Sequence, residues 1–213
     1  MRAYKETYLH NAAKNLGSML DYAVNDCGLE GGLFLHMFIS SGLAAQFERG
    51  HPKVIAGLSG VELALKAIEY VTGALPDDLP ARRYYRTAQY WAGWALAQYQ
   101  WYTARSFAAI LRYLPYEDIL RMYPALHQAD ISKFYATAEE IRARVFPQTN
   151  LKRLRASAGL TQARLAREAQ VSLRSIQMYE QRRKDINKAQ ALTLAQIARA
   201  LGCDMEDLLE SEQ

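Results

Sequence analysis

The amino-acid sequence predicts an all-α protein, an N-terminal helical bundle followed by a C-terminal domain of five short helices. Three observations carry this reading. Apolar residues recur at helical spacing along most of the chain. No segment shows the clean alternation of a half-buried strand. Capping residues stand where the periodic runs begin and glycines where they end. The 213 residues suit two modest domains. Pro147-Gln-Thr-Asn150, a helix breaker followed by an Asn suited to cap the next helix, marks their boundary. The expected division is residues 1–146, a linker at 147–150, and residues 151–213.

In chain order, Leu16, Met19, Leu20, Ala23 and Val24 form one helix face, and Gly28 stops that helix. Short helices follow at Leu33–Ile39 and Leu43–Glu48, and Gly50 to Ser59 reads as a loop. Ser59-Gly-Val-Glu62 is a capping box, so a helix runs from there to Thr72, with Gly73 beyond its end. Pro76 and Pro80 bracket a linker. The longest helix is expected over Ala81 to Ala104, with Tyr84, Tyr85, Tyr90, Trp91, Trp94, Tyr99, Trp101 and Tyr102 on it. Being apolar on two faces, it reads either as the centre of the bundle or as an aromatic dimer or partner interface. It could also line an apolar pocket for a small-molecule effector. Helices at Phe107–Leu114, Tyr116–Met122 and Ile131–Val145 complete the bundle, punctuated by Pro115 and Pro124.

Bulk properties narrow the function. No apolar run approaches the ~20 residues of a membrane span, and the first residues lack a signal-peptide core, so a cytoplasmic protein is expected. Cys27 and Cys203 offer neither metal spacing nor a disulfide framework. His10, His36, His51 and His127 are scattered, and no P-loop, nucleophile elbow or dinucleotide fingerprint occurs. The sequence therefore predicts no enzyme, no metal and no cofactor. Asp77-Asp78 and Glu139-Glu140 read as a linker and a solvated helix face. The charge is uneven. Residues 1–149 carry 15 Lys and Arg against 14 Asp and Glu, whereas residues 150–203 carry 11 against 3, an excess that suits a polyanion such as DNA.

The C-terminal helices carry the functional signal. Leu151 to Ala158 ends at Gly159, and Thr161 caps Gln162–Ala169. After a tight turn at Gln170-Val171, Ser172 caps Leu173–Gln181. A basic loop, Arg182 to Ile186, leads to Asn187 and a helix over Lys188–Leu201, which Gly202 ends. The last helix lies near Met205–Leu209. The second and third helices, joined by so short a turn, form a helix-turn-helix. Leu165, Ala166, Val171, Ile176 and Tyr179 are its expected core. Ser172, Leu173, Arg174, Gln177 and Met178 lie on or near the outward face of the third helix, placed to meet base edges in a major groove.

These residues resemble the xenobiotic-response-element type of helix-turn-helix, the fold of phage repressors and Cro. The match is Leu160-Thr-Gln-x-x-Leu-Ala166, Val171-Ser-x-x-x-Ile176, Tyr179-Glu180, Leu194-x-x-Ile-Ala-x-Ala-Leu-Gly202 and Asp207-Leu-Leu209. The resemblance implies a sequence-specific DNA-binding regulator, an autoregulating repressor. It implies base contacts from Ser172, Leu173, Arg174 and Met178, a phosphate contact from Gln162, and a role for Glu180 in holding the end of the third helix; Thr161, next to Gln162, is also expected to contact a phosphate. Two positions depart from the pattern. Gln170 stands where many members have glycine, and Gln181-Arg-Arg replaces the glycine after Tyr-Glu. The third helix is therefore expected to run longer, bringing Arg182, Arg183 and Lys184 to the DNA backbone. One module makes few base contacts, so a homodimer is expected, with the helix from Ala81 to Ala104 as its interface. In the N-terminal part, Asp21 to Gly28 and Phe47-Glu-Arg-Gly-x-Pro52 resemble the leading domains of toxin-linked regulators. That resemblance implies, as an alternative, an antitoxin with a toxin partner.

Overall fold

The computed structural model describes residues 2–75, 80–81, 87–146 and 148–210, and every regular element among them is helical. The chain divides into two compact units, one reaching to Arg142 and the other beginning at Ala143.

In the first unit, α1 (Leu9–Asp21) buries Ala12, Ala13, Leu16, Met19 and Leu20. The chain continues through a wide π-type turn, Tyr22–Asp26, before Gly28 turns it at a φ of +71°. Helix α2 (Gly31–Ser40) starts on Glu30, whose carboxylate accepts the amides of Gly32 and Leu33 at 2.8 and 2.6 Å. Helix α3 (Leu43–Glu48) follows. The expected loop at 50–59 instead contains a π-type turn, Lys53–Gly57, which buries Val54 and Ile55. It is tied down by Asn15, whose side-chain amide donates to the carbonyls of Ile55 and Leu58 at 3.1 and 2.8 Å. Helix α4 (Gly60–Thr72) carries the expected capping box, with Ser59 and Glu62 each taking the other's amide, and ends at Gly73.

Helix α5 (Ala88–Thr103) begins at Ala88 rather than Ala81, because the Thr87 hydroxyl accepts the amides of Gln89 and Tyr90 and caps it there. Tyr84 and Tyr85 lie outside the described residues, as do Pro76, Asp77 and Asp78. Next in the chain come α6 (Phe107–Leu111), shorter than expected, and α7 (Tyr116–Leu126). Pro124 sits inside the last turn of α7 instead of ending it. It forfeits one amide hydrogen bond, and His127 still closes the helix onto the Tyr123 carbonyl at 3.0 Å. Helix α8 spans Ile131–Val145.

Most of the aromatic helix lies in the core of the first unit. Helix α5 packs along α1 and against α7, and Trp91, Tyr99 and Trp101 are buried. Trp91 meets Tyr123 and Phe134 edge-on at centroid distances of 5.7 Å, and Tyr99 meets Phe134 at 5.9 Å. Tyr102, at the partly exposed edge, stacks on Tyr135 at 4.4 Å beneath the Arg2 guanidinium. Trp91, Tyr99 and Trp101 are thus consumed within the unit, while Tyr90 and Trp94 are half-buried and Tyr102 is exposed. Glycines make the α1–α5 contact possible. A Cβ on Gly93 would stand 2.6 Å from the Leu16 carbonyl oxygen, and one on Gly17 would stand 2.8 Å from that of Tyr90.

Glu139 is half-exposed, as a helix-face residue would be, but it is not free. Its carboxylate pairs with Arg105 and accepts the Tyr99 hydroxyl at 2.8 Å, while Arg105 also reaches the hydroxyls of Tyr99 and Tyr113. Burial pushes the Glu139 carboxyl up. The hydrogen bond and charge of Arg105, helped by Tyr99 and Arg142, overcome that and hold it below the ordinary carboxylate range.

The second unit comprises α9 (Asn150–Ser157), α10 (Gln162–Glu168), α11 (Leu173–Glu180), α12 (Ala191–Leu201) and α13 (Met205–Leu208), with a 3-10 turn at Ile186–Lys188. Thr149, not Asn150, caps α9, its hydroxyl accepting the Lys152 amide at 3.1 Å. The segment after the basic loop is likewise a 3-10 turn capped by Asp185, so α12 starts at Ala191 instead of Lys188. The core is the one expected, Leu165, Ala166, Ile176 and Tyr179 with Val171 at its edge. It is extended by Leu151, Ala169, Ile186, Ile197, Ala198 and Leu208.

Two outcomes follow for the first unit, whose unfolding is read by the fluorescence of Trp91, Trp94 and Trp101, all on α5. Gly93→Ala should cost about 1–3 kcal/mol in urea denaturation, because the clash is with backbone that cannot rotate away. A stabilisation, as helix propensity alone would give, would contradict the close contact. Glu139 is depressed in the fold, so its contribution is complete above the unfolded value of about 4.3 and fades as pH falls through the folded value. The stability gap between wild type and Glu139→Gln should thus be full at neutral pH and close in acid. A gap that stays constant down to strong acid would count against the ion pair.

Candidate nucleic-acid interface

Three short helices converge on one carboxylate. Glu180, in the last turn of α11, has a side chain only 2% exposed, and Arg155, from α9, has one 14% exposed. Arg155 donates Nε to Glu180 Oε1 at 2.6 Å and Nη2 to Oε2 at 3.0 Å, and its Nη1 caps the Leu160 carbonyl at 2.6 Å. Gln162, in the first turn of α10, donates Nε2 to Glu180 Oε2 at 2.8 Å. The hydrogen bond from Glu180 outweighs burial and raises the Arg155 pKa further above its already high value. This pair fixes where α10 starts relative to where α11 ends. Gln162 Nε2 carries two hydrogens, so one remains for a partner outside the domain. Sequence reasoning missed Arg155. The signal was present, because Arg155 continues the inner stripe of Leu151 and Leu154, and a cation on an inner stripe needs a buried partner.

The turn between α10 and α11 keeps the shape that glycine would favour. Gln170 has a φ of +52°, and the Val171 amide closes onto the Ala166 carbonyl at 3.0 Å. The same wrap ends α9 at Gly159, α11 at Arg182 and α12 at Gly202. At Gln170 and Arg182 a side chain is carried in the left-handed region, at about 1 kcal/mol each. The expectation of a longer third helix is corrected here. Helix α11 stops at Glu180, Arg182 turns at a φ of +55°, and the amides of Arg183 and Lys184 close onto the Met178 carbonyl at 2.9 and 3.1 Å.

The residues expected at DNA are distributed as follows. Thr161 and Ser172 are exposed, and their hydroxyls cap α10 and α11 by accepting the amides of Arg164 and Ser175, each at 3.1 Å. Leu173 and Arg174 are exposed in the first turn of α11, while Gln177 and Met178 are half-buried along the same helix. Arg174 has no ion pair or hydrogen bond among the described residues. Arg183 is exposed and likewise free among them, whereas the Lys184 ammonium lies 5.1 Å over the Tyr179 ring. Arg182 is directed elsewhere, with Nη2 donating to the Gln148 carbonyl at 3.2 Å and to Glu210 at 3.4 Å. Helix α11 therefore has one buried face, Ile176, Tyr179 and Glu180, and one outward face that begins with Ser172, Leu173 and Arg174.

Comparison with known proteins agrees with this geometry. Residues 151–208 match the family described as Helix-turn-helix. No curated protein and no solved structure matches the chain. The second unit thus contains a helix-turn-helix of the xenobiotic-response-element type, a DNA-binding regulatory domain. No helix among the described residues is long and apolar enough to cross a membrane.

Removing one member of the buried pair should cost far more than removing both. Glu180→Ala leaves the Arg155 charge uncompensated and should destabilise the second unit by about 3–5 kcal/mol. The joint replacement Arg155→Met with Glu180→Leu should cost clearly less. Native-state hydrogen exchange of the α10–α12 amides in the full chain measures both, and a double replacement as costly as the single one would rule the explanation out.

Proposed function

We propose that the chain is a sequence-specific transcriptional regulator that reads an operator through the major groove with α11 and represses its own gene. The observation that carries this is the exposed start of α11. Arg174 stands there with Ser172 and Leu173 on a helix whose opposite face is locked into the domain, and it has no partner among the described residues. An Arg so placed matches the two acceptors on the major-groove edge of guanine, and Leu173 suits a thymine methyl. Gln177 and Met178 continue the readout along the helix. Thr161 and Gln162 approach a phosphate from the start of α10, and the excess of basic residues over 150–203 supplies the salt-dependent attraction to the DNA backbone.

A helix of eight residues, Leu173–Glu180, reaches few base pairs. The binding unit is then a pair of chains reading half-sites about 34 Å apart, one helical turn of DNA. Residues 151–213 serve as the DNA-binding domain and residues 1–146 as the part that tunes it.

The test is titration of the full chain against the DNA upstream of its own gene and against random duplex of equal length, at two salt concentrations. Tighter, salt-sensitive binding to the upstream fragment is expected. Arg174→Ala should lose about 1–3 kcal/mol on that fragment and relax the preference at a single base position. Equal loss on specific and random DNA would remove Arg174 from base readout, and no preference in the wild type would remove the autoregulatory reading.

A further inference from the structure

The basic loop after α11 holds three consecutive cations, Arg182, Arg183 and Lys184, which repel one another and which a solvated loop would splay. The structure treats the first of them differently from the others. The Arg182 side chain is 23% exposed, its Nε is shut off from solvent, and its Nη2 lies against the Gln148 carbonyl and the Glu210 carboxylate. Glu210 is a hub. Its Oε1 accepts the Asn150 amide at 2.7 Å, its own amide donates to Asn187 Oδ1 at 2.9 Å, and its carbonyl accepts Asn187 Nδ2 at 2.9 Å. Asn150 Nδ2 adds a bond to the Leu209 carbonyl at 2.6 Å. The loop is thus pinned near both ends, at Arg182 and at Asn187, to a single residue. Gln148 and Asn150 precede the segment that matches the helix-turn-helix family, and Leu209 and Glu210 follow it. The two ends of the domain close on the DNA-side loop with residues outside the family match.

We propose that Arg182 and Glu210 are positioning residues. Together with the Gln148 carbonyl they clasp the loop so that Arg183 and Lys184 are presented to a DNA backbone, while Arg182 itself does not touch DNA. The proposal rests on the DNA-binding reading. Three arguments support it. Turning the guanidinium outward to a phosphate would withdraw Nη2 from the Gln148 carbonyl and the Glu210 carboxylate. The left-handed backbone at Arg182 is held against its cost by the contacts of that same side chain. Neutralising the first cation with Glu210 also lowers the repulsion on the next two, both of which are exposed, Lys184 beside the Tyr179 ring.

The experiment uses the full chain as wild type, Arg182→Ala, Glu210→Ala, the double variant and Arg183→Ala. Each is titrated with the upstream duplex over a range of salt, well below its melting temperature. Arg183→Ala should reduce the slope of log Kd against log salt by about 0.9, the signature of one lost phosphate contact. Arg182→Ala and Glu210→Ala should each weaken binding by about three- to five-fold with the slope unchanged, and the double variant should be no weaker than either. A slope loss in Arg182→Ala like that of Arg183→Ala, or multiplying losses in the double variant, would overturn the proposal. Amide exchange at Arg183, Lys184 and Asn187 in the DNA-free protein gives the independent arm. It should accelerate in both single variants, and unchanged exchange would refute the clasp. A wild type that binds no DNA would refute the DNA-binding reading, and the exchange arm would still decide whether the clasp exists.

Discussion

The buried ion pair of Arg155 and Glu180 is the contact on which the second unit depends. Its helices run from four to eleven residues, too short to persist alone in water, so their placement must come from tertiary contacts. The apolar core holds them together but is tolerant of small slides, because Leu, Ile and Ala are not directional. A bidentate guanidinium–carboxylate pair is directional. By joining α9 to the end of α11 and taking the amide of Gln162 as well, it fixes three elements at one point. The outward stripe of α11 inherits its orientation from that point.

The same geometry explains why strain is tolerated at Gln170 and Arg182. A helix-turn-helix needs its chain to reverse within two or three residues, and the left-handed wrap does so while satisfying the carbonyls at the helix end. Glycine adopts it freely at Gly159 and Gly202. At the two remaining ends the side chain is retained, and at Arg182 it finds a partner that a glycine would lack.

Much of this was legible in the residue pattern, and most of the parts that were not share a cause. Several helix starts were readable from a hydroxyl before an apolar run, as at Ser59, Thr161 and Ser172, because capping is a local interaction, whereas the capping hydroxyls of Thr87 and Thr149 were passed over. The core of the second unit was readable from the spacing of Leu165, Ile176 and Tyr179. What depended on distant partners was not. The π-type turn at Lys53–Gly57 exists because Asn15 reaches it, Asn150 yields its cap to Thr149 and bonds Leu209 instead, and Glu139 looked solvated until Arg105 came beside it. Helix α5 was ambiguous for the same reason. Its rings could equally face a partner or a core, and what buries Trp91 and Tyr99 is the approach of Tyr123 from α7 and Phe134 from α8, which no periodicity in α5 reveals.

The two units thus solve one problem in parallel. Each holds a guanidinium–carboxylate pair, Arg105 with half-exposed Glu139 in the first and Arg155 with buried Glu180 in the second, and each surrounds it with further donors. Where such pairs are buried, as Arg155 and Glu180 are, they contribute little net stability over apolar residues of equal shape, since desolvation offsets most of the attraction. Their effect is to penalise every arrangement that separates the charges. In the first unit that penalty acts on an aromatic interior whose flat rings could slip past one another. In the second it acts on short helices whose mutual angle sets what the surface can read. Directional polar contacts supply in both places what apolar burial alone leaves loose, and in the second unit Gln162 carries one of those contacts from the buried pair out to the surface proposed to meet a phosphate.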